Sequence, residues 1–138
     1  MSDDKVSLRR RFAAIVYDTI GATALVYFAA FVPVLIVGDV VAPGNPLFGL
    51  YIILVVWAYF CVCWTTSGQT IGMQAWKIRV TAEHGERRLT WLQASYRLLT
   101  AWCGAALLGL GFWFALIDKE KRTWHDKASK SLLIRVHP

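Results

Sequence analysis

The chain has 138 residues, room for one domain, and 57% of them are hydrophobic while only 17% are charged. A water-soluble domain of that size needs more polar surface to cover its core, so the composition excludes an ordinary soluble protein. The formal net charge of +6 is no nucleic-acid footprint either, because no basic face survives once the apolar runs are set aside.

Residues 1–8 are polar and read as a mobile N-terminus. The run 12–37 that follows is 26 residues long and holds a single charged side chain, Asp18. A span needs about 20 apolar residues to cross roughly 30 Å of hydrocarbon, so a first membrane helix is expected over 9–37, bent near its far end by Pro33. The basic triplet Arg9-Arg10-Arg11 precedes it as in a secretory signal. The run is too long for a signal core and no clear small-residue cleavage site follows, so it reads as a retained helix. Residues 38–46 hold two prolines, two glycines and Asn45, with no Lys or Arg, and form an external loop.

A second helix is expected over 47–64, with Trp57, Tyr59, Phe60 and Trp64 crowding its second half and Trp64 at a headgroup interface. Residues 65–90 are polar and basic. Gly68-Gln69-Thr70-Ile71-Gly72 reads as a turn into a short interfacial helix ending near Trp76. Lys77-Ile78-Arg79-Val80-Thr81 alternates as a half-buried strand does, and Glu83-His84-Gly85-Glu86 supplies a turn. Thr90-Trp91-Leu92-Gln93 is a capping-box pattern that starts a helix at Trp91. The third membrane segment, 91–117, carries Arg97 and is interrupted by Gly104, Gly109 and Gly111. The basic C-terminal segment 118–138 contains a second strand candidate, 131–136. No internal repeat is visible. Cys61, Cys63 and Cys103 lie in apolar runs, are odd in number, and suit neither a disulfide framework nor a metal site.

Lys and Arg number four in residues 1–11, none in 38–46, four in 65–90 and six in 118–138. The positive-inside rule places the first, third and fourth of these segments in the cytoplasm. A third full crossing would put 118–138 outside. Either 91–117 crosses and breaks the rule, or it enters and returns; return is the favoured reading, since the mid-run glycines allow a bend and strands 77–81 and 131–136 can pair only on one side. The expected architecture is an all-α membrane protein. It has two transmembrane helices, a third membrane segment that either crosses or is re-entrant or broken, and a small cytoplasmic β-hairpin or strand platform, all in one domain.

Asp18 is the sharpest chemical signal. It lies seven residues past Arg11, about 10 Å deeper along a helix, where a carboxylate costs several kcal/mol unless paired, protonated or wet. It is a candidate ion or proton site, or else a polar contact that locks helices together. Arg11 is its nearest named partner and Arg97 a second. For Arg11 alone, an anchor that snorkels to phosphates is the commoner role. His125 beside Asp126 suggests acid–base or metal work only weakly, because no second pair has ligand spacing. No nucleophile elbow, cofactor motif or metal set is present, so neither an enzyme nor a cofactor is expected.

Three stretches resemble the RDD family, named for an arginine and two aspartates. The first is Arg10-Arg11-Phe12-Ala13-Ala14-Ile15-Val16-Tyr17-Asp18. The second is the Gly68–Gly72 segment. The third is Gly109-Leu110-Gly111-Phe112-Trp113-Phe114-Ala115-Leu116-Ile117-Asp118 with Trp124-His125-Asp126-Lys127. By position the resemblance sets the family arginine on Arg11, the first aspartate on Asp18, and the second on Asp126 or Asp118. Ala101-Trp102-Cys103-Gly104 departs from the proline-containing bend of many relatives, which weakens the re-entrant reading. The resemblance implies a multi-pass protein of the bacterial inner membrane, for which cation–proton exchange has been suggested in some members. The expectations are therefore a small cation or proton transporter working as a homo-oligomer, or an accessory protein docking a partner or anionic lipid on its basic cytoplasmic face.

Overall fold

The computed structural model describes residues 6–82, 88–106, 117 and 124–136. Helix α1, Leu8–Val37, runs through Pro33. It ends at Gly38, whose φ of 74° lets its N–H turn back to the Val34 carbonyl at 2.9 Å. Asn45 then caps α2, Pro46–Thr66, by accepting from the N–H groups of Leu47 and Phe48. The helix outlasts the expected end at Trp64 because Thr65, Thr66 and Ser67 hydrogen-bond back to the carbonyls of Cys61, Val62 and Cys63. The Tyr51 hydroxyl donates to the Ala29 carbonyl and ties α1 to α2 midway.

Both helices are long and apolar enough to cross a membrane, and little of either is buried by the rest of the protein. Leu35 and Ile36 are each 79% exposed and Phe28 75%. Apolar side chains bared to that extent on two adjoining helices call for a hydrocarbon solvent.

A short helix, α3 (Ile71–Ala75), leads into strand β1 (Ile78–Ala82). After α4 (Trp91–Ala106) and a second short helix, α5 (Trp124–Ala128), comes β2 (Ser131–Arg135). The strands pair antiparallel, Ile78 opposite Arg135 and Val80 opposite Leu133. They therefore share one side, as expected. Each strand is entered through a lysine in left-handed conformation, Lys77 (φ 53°) and Lys130 (φ 49°). That joint moves β1 one residue later than the alternation of residues 77–81 suggested. It also reveals a repeated unit of short helix, left-handed lysine and strand that residue identities do not announce.

The capping box forms as read: Thr90 N–H donates to Gln93 Oε1 and Gln93 N–H to Thr90 Oγ1. The N-terminal residues 1–5, the turn at 83–86 and residues 107–116 of the third segment lie outside the described residues. Burial concentrates at one end of the molecule. There the first turns of α1, the last turn of α2 and the start of α4 meet α3, α5 and the sheet around Ala14, Cys61, Trp64, Met73, Ile78, Val80, Ala94 and Leu98. Trp64 is only 5% exposed, so it does not face a headgroup layer as expected: α2 continues past it and α4 covers it.

Candidate functional site

Asp126, fully buried on α5, is the hub of the packed end. Arg11 from the first turn of α1 places Nη1 2.7 Å from its Oδ2, and Arg97 from α4 places Nη1 on Oδ1. Arg97 Nη1 also donates to Ser131 Oγ at 2.8 Å, at the start of β2, and Ser131 shares a hydrogen bond with Ser129. The Arg97 guanidinium carbon lies 5.3 Å from the Trp64 ring centroid, within cation–π range. Arg11 and Arg97 are 6% and 2% exposed. Three buried charges with a net of +1 thus join α1, α4 and α5, with a hydroxyl and an aromatic face as further support. Buried charge demands such partners, because an unpaired guanidinium in this setting loses most of its hydration.

Asp18 stands apart from this hub. Gly72 N–H donates to Oδ1 at 2.9 Å and the Thr70 hydroxyl to Oδ2 at 2.5 Å. Thr70 Oγ1 also accepts from Met73 N–H as the N-cap of α3, so one hydroxyl both starts that helix and holds Asp18. Gly72 is required here: a Cβ would sit 2.2 Å from the Ala14 carbonyl oxygen and 2.9 Å from Asp18 Cγ. The glycine lets α3 lie directly on the backbone of α1.

Arg11, named as the nearest candidate partner of Asp18 on their shared helix face, does not pair with it. Seven residues of separation leave the side chains two turns apart, and Asp126 offers Arg11 a full ion pair instead. Arg97, the other expected partner, goes to the same carboxylate. Asp118 and the side chain of His125 lie outside the described residues. Among those described, no three His, Cys, Asp or Glu side chains cluster as a metal site. Thr70, Gly72, Ser129, Ser131 and Trp64 make contacts to the candidate residues that sequence reasoning missed. For the first two a signal existed: they lie in the Gly68–Gly72 segment, read there only as a turn.

Above the hub, a groove of about 630 Å³ opens between α1, α2 and α4. Helix α1 lines it at successive i, i+4 positions, with Asp18, Ala22, Val26 and Ala30 on one row and Thr19, Thr23 and Tyr27 beside them. Arg11 and Arg97 lie in its wall, and Phe60, Trp64 and Trp102 give it aromatic faces. The other described residues of the wall are apolar.

Such a molecule is a membrane protein of two long apolar helices whose buried polar residues are clasped by a small helix-and-strand cap. Its chain belongs to the RDD family, whose model matches residues 5–130. No curated protein and no solved structure matches the chain.

Proposed function

We propose that this RDD-family protein moves protons or small cations across the membrane, with Asp18 as the group that takes up and releases the charge. One observation carries the reading. Asp18 is 7% exposed, lines a groove between membrane helices, and is held by a hydroxyl and an amide with no basic partner among the described residues. Both nearby arginines are committed to Asp126. A carboxylate so placed binds a proton or a cation more readily than one locked in an ion pair.

In this reading residues 91–117 enter the membrane and return, consistent with Arg97 and Ser131 meeting at one end. The basic segments and N-terminus face the cytoplasm of a bacterial inner membrane. Three membrane segments enclose a path poorly, so the working form is a homo-oligomer. No catalytic step, cofactor or resident metal is involved.

The test is ion and proton flux into liposomes containing purified wild type or Asp18→Asn. Flux present in wild type and lost in a folded mutant supports the reading. Well-folded wild type that passes neither protons nor cations, at several pH gradients, refutes it. The exposed cations Arg9, Lys77, Arg79, Arg88, Lys130 and Arg135 gather at the capped end. They support the second reading, a non-transporting accessory protein that docks an anionic lipid or protein partner there.

A further inference from the structure

The surroundings of Asp18 restrict what cation fits. Both carboxylate oxygens already meet hydrogen donors, Gly72 N–H and the Thr70 hydroxyl. The nearest groove hydroxyls, Thr19 and Thr23, donate to the carbonyls of Ile15 and Thr19 on their own helix. A bare inorganic cation must replace its hydration shell with a set of oxygens, about six or more for a calcium ion. Among the described residues this wall supplies one carboxylate and a few hydroxyls, and no acidic or histidine cluster.

The rest of the groove is suited to a different ion. Its volume of about 630 Å³ is that of a small-molecule site. Beyond Asp18 it is lined by Val26 and Ala30 and by the rings of Tyr27, Phe60 and Trp102. Aromatic faces attract diffuse, weakly hydrated cations, and aliphatic walls cover an apolar body.

We propose that the cation taken by this site is an amphiphilic organic one, a monovalent ammonium or phosphonium whose charge lies against Asp18 and whose apolar body fills the groove. Charge complementarity supports it despite the arginines. Their net charge, after Asp126, is a single positive one. Arg11 is two helical turns, about 10 Å, from Asp18 along α1. A cation in direct contact with the carboxylate is attracted more strongly than this more distant charge repels it. The proposal rests on the transport reading for its significance, but it is tested by binding alone.

The probe is tetraphenylphosphonium, with tetraphenylborate as its anionic isostere, measured by equilibrium dialysis against the full chain in lipid nanodiscs. Two variants are compared with wild type: Asp18→Asn, and Ala22→Phe, which fills the groove one turn above Asp18 without removing a charge. The expected result is saturable phosphonium binding, weakened about ten-fold or more in both variants, with no saturable borate binding. Equal binding in wild type and Ala22→Phe, or borate binding as tight as phosphonium, overturns the proposal. Should Asp18→Asn fail to fold, Ala22→Phe and the borate comparison decide alone. Asp18-dependent proton flux without phosphonium binding sinks this inference and leaves the transport reading standing. Phosphonium binding without any flux does the reverse.

Discussion

Substituting Gly72 by alanine adds a single methyl group at the point where α3 rests on α1. The new Cβ would lie 2.2 Å from the Ala14 carbonyl oxygen, a backbone atom that cannot swing aside. Restoring ordinary contact requires α3 to withdraw by about 1 Å. That movement stretches the 2.9 Å bond from Gly72 N–H to Asp18 beyond useful length. Losing a hydrogen bond to a buried charged group costs about 1.5–3 kcal/mol, and overpacking adds about 1–3 kcal/mol. Gly72→Ala is therefore expected to destabilise the protein by about 3–5 kcal/mol, a hundred-fold or more in the folding equilibrium. Equilibrium unfolding in mild micelles, followed by tryptophan fluorescence, measures it. A double-mutant cycle with Asp18→Asn separates the two causes, because both variants disturb the same bond and their costs should fall well short of additive. A Gly72→Ala protein within about 0.5 kcal/mol of wild type would refute the close packing on which this rests. Full additivity would show that Asp18 plays no part in it.

Asp126→Asn leaves Arg11 and Arg97 buried beside a neutral amide, and should cost about 3–5 kcal/mol in the same unfolding assay; a loss under about 1 kcal/mol would mean that water reaches the hub. Lys77→Gly removes a side chain from a left-handed position (φ 53°), and is expected to leave stability unchanged or raise it by up to about 1 kcal/mol, whereas Lys77→Val should lower it. With Cys103 replaced by alanine, cysteines at Arg79 and Lys130 should react with an impermeant reagent from the same side of the membrane, since their strands are hydrogen-bonded neighbours. Labelling from opposite sides would be incompatible with the sheet.

Local signals were legible in the sequence where one stretch of chain carries the whole interaction. The Thr90–Gln93 capping box needs four residues, and the two long helices need only a sustained apolar run. The first strand was visible because alternation of polar and apolar side chains is a property of neighbours. The hub was not. Arg11 and Asp126 are 115 positions apart, and nothing in either neighbourhood names the other. Spacing on one helix pointed Arg11 at Asp18, and only the tertiary fold supplies the better acceptor. Trp64 misled for the same reason, since an aromatic residue near a helix end suits the headgroup layer until another helix buries it. The left-handed lysines were illegible because lysine has no special preference for that conformation.

The order in which the chain emerges gives the hub and the Asp18 clasp a history. Asp18 emerges from the ribosome ahead of Thr70 and Gly72, so at first nothing in the emerged chain hydrogen-bonds it as they later do. Arg11 must wait longer still, through the insertion of both long helices, before Asp126 exists to receive it. Until then it belongs with Arg9 and Arg10 as part of the cationic flank that keeps its end of α1 at the headgroups. In the proposed topology one side chain thus first flanks the inserting helix and afterwards fastens the protein's two ends together, and the second role can begin only when Asp126 has been made.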